Sequence, residues 1–365
     1  MEYFFSDVLE IKNGKNQKGV ENPEGRYPIY GSGGVMGYAD NYICEADTVI
    51  IGRKGNINNP IYVSEPFWNV DTAFGLSANK EVLLPRYLFY FCKKFDFNKL
   101  NKTVTIPSLT KADLLKIKMN LPNIKEQQHI VEKLIKLESI LKYRRQELST
   151  LDNLIKARFV ELFGDPDNNE KKWDIDKMEH LCEVGSSKRI YQNEQSMKGV
   201  PFLRISDLVN RIDTGSKDCD LYIPIERFTE LKEQGLVPRS GDILLTARGT
   251  LGRCYIVQSD DEFYFQDGMI TWLSNYDKRI TALYISYLFE MPGFRKQIDA
   301  LQAGSTVAYM SIAMTKKLDV MVPPIELQNQ FSDFVRATDK SKVAVQKALD
   351  ETQLLFDSLM QEYFG

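Results

Sequence analysis

Two long stretches of the chain carry apolar residues at alternating steps of four and three, a spacing that places them on one face of an α-helix. The first follows Pro122 and contains neither proline nor glycine from Lys125 to Phe163. The second follows Pro323 and repeats the spacing 201 residues later. The predicted helix-packing positions are Ile130, Leu134, Leu137, Leu141, Leu148, Leu151, Ile155 and Leu162 in the first stretch, and Phe331, Val335, Val345, Leu349, Phe356 and Leu359 in the second.

The two stretches also begin and end alike. LPNIKEQQHIVEKL, at 121–134, returns as VPPIELQNQFSDFV at 322–335, and both stretches close on a Phe-Gly pair. Because matching apolar stripes can bury each other, we predict an antiparallel, coiled-coil-like pair of helices. A helix of this length spans roughly 58 Å, so the pair would be a rod able to hold two domains apart. The alternative is two unrelated surface helices, each on its own domain.

The remaining sequence divides into two β-rich halves that share one order of elements. TVIIGRKGNI in the first half and GDILLTARGTLGR in the second each combine a buried strand with a basic glycine turn. An aromatic strand and an aromatic helix follow in both halves. We therefore predict a mixed α/β (α+β) protein with a pseudo-two-fold internal repeat. The predicted boundaries are a globular domain at 1–122, a long helix at 123–163, a second globular domain at 164–323 and a second long helix at 324–365.

The basic glycine turns are the strongest candidates for a binding site. Glycine permits close backbone approach, and a lysine or arginine at the tip of a turn can reach phosphates or guanine edges. A hairpin with solvated charges is the alternative for either turn alone. Including the YGSGG run, the loops before each proline and the PFLRISDL strand, the predicted DNA contacts are Tyr30, Ser32, Gly33, Arg53, Lys54, Asn56, Lys102, Thr103, Thr105, Arg204, Ser206, Thr246, Arg248, Thr250, Arg253, Ser305 and Thr306.

Net charge limits how tightly the chain alone can hold DNA. The total is −3, with +4 on residues 1–163 and −7 on residues 164–365. A DNA site must then be a local basic surface, and we expect tight binding to need a second, more basic subunit. The five cysteines are odd in number and form no CxxC pair, which favours buried thiols over disulfides or a zinc cluster.

At this point the pattern resembles a known family, the specificity subunits of type I restriction-modification systems. The resemblance rests on Pro122, Gln127 and Ile130, on their counterparts Pro323, Gln328 and Phe331, on the YGSGG and RGTLG turns, and on FGDP at 163–166. It covers nearly the whole chain, although the YGSGG run is clear only in the first half.

The resemblance implies two target-recognition domains, at 1–122 and 164–323, that each read one half of a split, asymmetric sequence in double-stranded DNA. The helical rod would then act as a ruler and as the docking platform for two methyltransferase subunits, joined for cleavage by restriction and translocase subunits. It also implies that this chain holds no cofactor, and that S-adenosylmethionine, Mg²⁺ and ATP belong to the partner subunits.

The sequence contains few candidate catalytic residues. The chain has two histidines, His129 and His180, and shows neither an adenine methyltransferase motif nor a P-loop. A nuclease-like PD and ExK pattern at 166–172 is too compressed for strands to bring its carboxylates to one metal ion. We expect a non-catalytic subunit, and two alternatives stay open: a coiled-coil adaptor that binds only protein, and a self-contained site-specific nuclease. An acidic start and the lack of a long apolar run predict a cytoplasmic protein with no membrane partner.

Overall fold

Two compact units make up the protein. The computed structural model describes residues 1–101, 103, 106–301 and 308–365. One unit consists of residues 1–147 and 345–365, and the other consists of residues 148–344. Both divisions between the units fall inside a long helix, so each unit contains part of each long helix.

Unit 1 is built on three sheets. Its strands are β1 (Glu2–Phe4), β2 (Leu9–Asn13), β3 (Tyr27–Gly31), β4 (Gly34–Ala39), β5 (Thr48–Gly52), β6 (Ile61–Val63), β7 (Trp68–Asn69), β8 (Ala73–Ala78) and β9 (Lys118–Asn120). A four-stranded antiparallel sheet has the order β2-β8-β5-β6, a three-stranded sheet the order β4-β3-β7, and β1 pairs with β9. The β-branched run of β5 is wholly buried, as expected for an inner strand covered on both faces.

Short helices pack around these sheets. They are α1 (Phe5–Val8), α2 (Pro85–Lys94) and α3 (Lys111–Leu114), with a 3₁₀ turn at Phe97–Leu100. Pro85 stands in the first turn of α2, where the missing N–H costs nothing. The first long helix, α4, spans Ile124–Phe163.

Unit 2 repeats this plan with its own elements. Its strands are β10 (Asp174–Lys177), β11 (Glu183–Gly185), β12 (Val200–Leu203), β13 (Tyr222–Ile223), β14 (Ile243–Thr246), β15 (Cys254–Ile256), β16 (Tyr264–Phe265), β17 (Ile270–Ser274) and β18 (Asp319–Val322). Its helices are α5 (Met178–Leu181), α6 (Ile205–Thr214), α7 (Ile225–Glu233), α8 (Ala282–Leu288), α9 (Pro292–Leu301) and α10 (Ile312–Lys316), with a 3₁₀ turn at Gln192–Glu194. The second long helix, α11, spans Ile325–Phe364.

The sheets of the two units correspond strand for strand. The order β11-β17-β14-β15 matches β2-β8-β5-β6, β13-β12-β16 matches β4-β3-β7, and β10 pairs with β18 as β1 does with β9. The one parallel pairing in each three-stranded sheet also recurs, as β3 with β7 and as β12 with β16. The predicted mixed α/β fold with an internal repeat is confirmed.

Within each unit the two long helices run antiparallel. In unit 1, Lys133 Nζ lies 3.5 Å from the hydroxyl of Tyr363, and Arg145 donates to Gln353 at 3.2 Å. In unit 2, Lys342 pairs with Asp152 at 2.6 Å, while the rings of Phe159 and Phe331 lie 5.5 Å apart. In both units, later residues of α4 contact earlier residues of α11, as expected for antiparallel helices.

The predicted helix-packing positions are all at least half-buried. The buried members are Leu134, Leu141, Ile155, Phe331, Val335, Val345, Leu349 and Phe356, and the half-buried members are Ile130, Leu137, Leu148, Leu151, Leu162 and Leu359. Phe159 and Phe163 were not predicted but are completely buried, because they join an aromatic cluster with Tyr284 and Phe331 rather than the seam alone. In the part of the chain that the structure describes, no helix combines the length and apolar character needed to cross a bilayer.

Candidate nucleic-acid interface

The basic turn of unit 1 projects from the end of β5. Arg53, Lys54, Gly55 and Asn56 are all exposed, directly after a strand that is entirely buried. The backbone N–H of Arg53 donates to Thr72 at 2.7 Å, and its carbonyl accepts from Leu109 at 2.9 Å. The turn is therefore held by backbone hydrogen bonds on both sides, and its side chains stay available to solvent.

The basic turn of unit 2 is anchored in the same way, at the end of β14. Ala247 donates to Met269 at 2.9 Å and accepts from Met310 at 3.0 Å, so Ala247 occupies the place of Arg53. Arg248 consequently corresponds to Lys54, and Gly249 to Gly55.

Both tip glycines use a backbone conformation that other residues rarely adopt. The φ angle is +78° at Gly55 and +70° at Gly249, in the left-handed region where glycine carries no steric penalty. In each unit the basic residue before this glycine forms an isolated β-bridge with a residue of a later loop. Lys54 is paired with Ser108, and Arg248 is paired with Tyr309. We define these two features, Lys54–Gly55 and Arg248–Gly249, as the basic tips.

In unit 1 two further predicted segments converge on the basic tip. The YGSGG run forms a tight hairpin between β3 and β4, in which Gly31 pairs with Gly34 around Ser32 and Gly33. A Cβ placed on Gly52 would lie 3.0 Å from the Cβ of Ser32, so the hairpin touches the end of β5.

The second converging segment contains Thr103. The side-chain oxygen of Asn101 accepts hydrogen bonds from the backbone N–H groups of Thr103 and Ser108, both at 3.1 Å. The exposed Thr103 is therefore held near Ser108, the residue that forms a β-bridge with Lys54. The predicted contacts Lys102, Thr105, Ser305 and Thr306 lie outside the described residues.

In unit 2 a helix replaces the hairpin. Between β12 and β13 the chain forms α6, which explains why the YGSGG run has no counterpart in the second half. Ser206 is exposed in the first turn of α6, and Thr250 is exposed beside Gly249.

Burial limits the access of two predicted contacts to the surface. Thr246 is completely buried, and its hydroxyl donates to the carbonyl of Thr250 and accepts the N–H of Arg253, so it shapes the turn from inside. Tyr30 is half-buried and packs edge-on against Phe67 at 5.4 Å, where burial raises the pKa of its phenol. Neither side chain belongs to the exposed surface of the tips.

Two predicted arginines are neutralised by carboxylates of their own unit. Arg253 meets both carboxylate oxygens of Asp213, and this contact holds the pKa of Asp213 below its usual value. Arg204 bonds Asp207 at 3.0 Å and Asp220 at 3.3 Å. Among the residues that the structure describes, by contrast, no carboxylate lies within ion-pair distance of Arg53, Lys54 or Arg248. Of the predicted contact residues that the structure describes, the cations that are exposed and lack such a carboxylate are Arg53, Lys54 and Arg248.

Sequence reasoning missed the apolar flanks of the tips. Ile106 is 60% exposed in the loop beside Lys54, and Tyr309 lies 5.4 Å beneath the guanidinium of Arg248. Each lies in the loop before the short helix, α3 or α10, that precedes the last strand of its unit, and this position was the available signal. Over the described ranges, no group of three or more His, Cys, Asp and Glu side chains is arranged to hold a metal ion.

The fold and the basic tips together define a protein of two like recognition units that share a pair of long helices. The chain belongs to the family described as the type I restriction modification DNA specificity domain, whose profile matches residues 1–151 and 170–352. The family that the doubled sequence pattern predicted is thus confirmed.

Individual relatives agree with the family match. A putative type I restriction enzyme specificity subunit of Haemophilus influenzae is 26% identical over 98% of this chain and 91% of its own length. The EcoBI specificity subunit of Escherichia coli is 22% identical over 89% of this chain and 74% of its own length. The crystal structure of a type I restriction-modification S subunit from M. genitalium aligns with a TM-score of 0.63 at 16% identity, covering 100% of this chain and 96% of that one.

Proposed function

We propose that this chain is the sequence-reading subunit of a type I restriction-modification complex, in which each unit recognises one half of a split, asymmetric DNA target. The observation that carries the proposal is the recurrence of an exposed cation, unpaired with any described carboxylate, and a left-handed glycine at equivalent positions of both units. A cation at the tip of a rigid turn can reach guanine O6 and N7 or a phosphate. The residues around the two tips differ, so the two half-sites differ as well.

The functional segments follow the sequence-based boundaries. The recognition domains are residues 1–122 and 164–323, and the long helices at 123–163 and 324–365 form the spacer and the docking platform. Support for docking comes from large apolar side chains exposed on the helices, a feature typical of protein interfaces. They include Ile140, Tyr143, Val343, Leu354 and Leu355.

The division of labour within the complex is part of the same proposal. Two methyltransferase subunits bind the long helices and bring S-adenosylmethionine, while restriction and translocase subunits bring Mg²⁺ and ATP. This chain reads the sequence in the cytoplasm and leaves the chemistry to its partners.

Alanine substitutions at the tips test the proposal directly. Arg248→Ala removes the unit 2 cation and should weaken binding by about 1–3 kcal/mol, with relaxed base preference in one half-site only. Lys54→Ala should do the same for the other half-site. The measurement is methylation of a DNA library, randomised in each half-site in turn, by the complex with its methyltransferase subunits.

Lys116, an exposed lysine between α3 and β9, offers a matched control. Lys116→Ala removes the same charge outside the tips and the long helices, and we expect no change in base preference. Equal loss of preference in both half-sites from either tip variant would contradict independent reading by two domains.

A further inference from the structure

A buried glutamine joins the start of α4 to the globular part of unit 1. Gln127 is 0% exposed. Its side-chain oxygen accepts the N–H of Leu84 at 2.9 Å, and its amide nitrogen donates to the carbonyls of Val82 and Pro122, each at 2.9 Å. Both N–H groups and the oxygen of the carboxamide are thereby used.

Unit 2 contains the same arrangement at the start of α11. Gln328 is also 0% exposed. It accepts the N–H of Thr281 at 2.9 Å and donates to the carbonyls of Arg279 and Pro323 at 2.8 and 2.9 Å. Leu84 and Thr281 are the residues immediately before α2 and α8, so both glutamines tie a globular helix to a long helix at corresponding points.

Hydrogen bonds fix orientation in a way that apolar packing does not. An apolar side chain would fill the same space but would let the packed elements slide, whereas a carboxamide with three bonds restrains both distance and angle. Burying an amide is unfavourable unless all its partners are present. The recurrence of this fully bonded amide in both units therefore points to control of geometry.

The two units differ in how firmly this connection is held. In unit 1, Glu138 lies about 16 Å further along α4 and accepts bonds from Tyr90 at 2.7 Å and Lys93 at 2.9 Å, so α2 is tied to α4 at two points. In unit 2, Tyr287 occupies the place of Tyr90 and packs edge-on against Phe331 at 5.2 Å. The second hydrogen bond of α8, from the hydroxyl of Tyr284 to the carbonyl of Met321 at 3.1 Å, reaches β18 rather than the long helix. Gln328 is accordingly the more important of the two glutamines for orientation.

We infer that Gln127 and Gln328 are positioning residues that fix the angle between each recognition domain and its helix start, and through it the length of the unread spacer between half-sites. The inference rests on the proposed function, since a spacer exists only in a split target. Adding one base pair moves the next half-site by about 3.4 Å and rotates it by about a tenth of a turn. A rigid connection resists that reorientation, and a loosened one permits it.

The experiment measures spacer preference with the complete methyltransferase complex. Substrates carry both half-sites with the native spacer, or with one base pair more or fewer. For Gln328→Leu we expect the ratio of methylation on native to altered spacers to fall about tenfold, equivalent to about 1.4 kcal/mol. For Gln127→Leu we expect a smaller fall, about threefold or about 0.7 kcal/mol, because Glu138 still holds α2. Base preference within each half-site should stay unchanged.

Controls separate positioning from folding. Gln330→Leu alters an exposed glutamine two residues beyond Gln328 and should leave the ratio unchanged. If Gln328→Leu does not fold, Gln127→Leu decides the matter, because its unit retains the second tie. A folded variant of either glutamine with wild-type spacer discrimination overturns the inference, as does loss of base preference with spacer discrimination intact. Methylation of an unsplit sequence by the wild-type complex would instead refute the proposed function.

Discussion

Arg211 and Asp261 form an ion pair in the interior of unit 2. Their side chains are 4% and 0% exposed, and the guanidinium lies 3.1 Å from the carboxylate. Burial raises the pKa of Asp261, but hydrogen bonds from Tyr255, Gln258 and Lys217, together with the charge of Arg211, lower it by more, so the pKa lies below its ordinary value. The charged form of Asp261 is therefore favoured by folding.

Arg211→Met should lower the free energy of unfolding of unit 2 by about 2 kcal/mol at pH 7, because the buried Asp261 loses one charged hydrogen-bond partner while Lys217 stays 3.1 Å away. Because the pKa of Asp261 is lower in the folded state than in the unfolded state, its ionised carboxylate stabilises the fold at pH values above the unfolded-state pKa, about 3.9. This stabilisation is lost as the pH falls through the folded-state pKa of Asp261. The difference between wild type and variant should shrink below about pH 4. Urea unfolding at pH 7 and pH 3.5 checks this, with the exposed Arg248→Met as the control. A difference independent of pH would contradict it.

At the residue scale, the sequence indicates candidate DNA-binding cations but does not show which of them are exposed and free of a carboxylate partner. Lys54 and Arg248 could be found because each adjoins a turn glycine. Arg253 looked equally suitable, yet its partner Asp213 stands 40 residues earlier and meets it only in the folded unit. Burial of Thr246 likewise depends on the strands on both sides of it.

At the element scale, a polar segment closes the carboxyl end of α4. Gly164 has φ +81° and donates to Val160 at 2.8 Å, which ends the helix in a left-handed residue. The indole N–H of Trp173 then donates to the carbonyl of Phe163 at 2.8 Å, and the ammonium of Lys171 to that of Glu161 at 2.6 Å. These donors satisfy carbonyls that a helix end leaves without partners.

Gly164→Ala should destabilise unit 2 by about 1–2 kcal/mol, since a Cβ strains the left-handed conformation. Space is not the cause, because the added Cβ would lie 3.5 Å from Lys171, an ordinary contact. Gly185→Ala is the matched control: it lies in β11, where an added Cβ meets nothing within 4 Å, and its effect should stay within about 0.5 kcal/mol. Thermal unfolding of both variants gives the comparison, and equal shifts would rule out backbone strain as the cause.

Apolar periodicity predicted the long helices well because it extends over many turns. It could not predict that Phe159 and Phe163 also join an aromatic cluster with Tyr284, since Tyr284 reaches them from a helix more than a hundred residues away in sequence. Nor could it predict that α6 stands in unit 2 where unit 1 has a hairpin, because both segments connect equivalent strands, β12 to β13 and β3 to β4.

At the scale of the whole molecule, one topology is built twice from different residues. Every sheet order recurs, while the tip reads Lys-Gly in one unit and Arg-Gly in the other. Strand order depends on the apolar pattern, which tolerates substitution, whereas the proposed recognition of DNA depends on individual side chains at the turns. The repeat was therefore visible in the sequence of the long helices. The equivalence of Lys54 and Arg248 could be recognised only from the backbone hydrogen bonds of the folded turns.

The overall charge makes a prediction about assembly. With a net charge of −3 and only local basic tips, the chain alone should bind DNA weakly, and the methyltransferase subunits should restore specific, salt-sensitive binding. Each phosphate contact contributes about −0.9 to the slope of log affinity against log salt. If the tip cations contact phosphates, the double variant Lys54→Ala with Arg248→Ala should reduce the slope of the complex by nearly 2. Should they read bases alone, affinity should fall with little change in slope. Fluorescence anisotropy on a labelled duplex between 50 and 200 mM salt distinguishes these outcomes, and equally tight binding by the isolated chain would contradict the need for a second subunit.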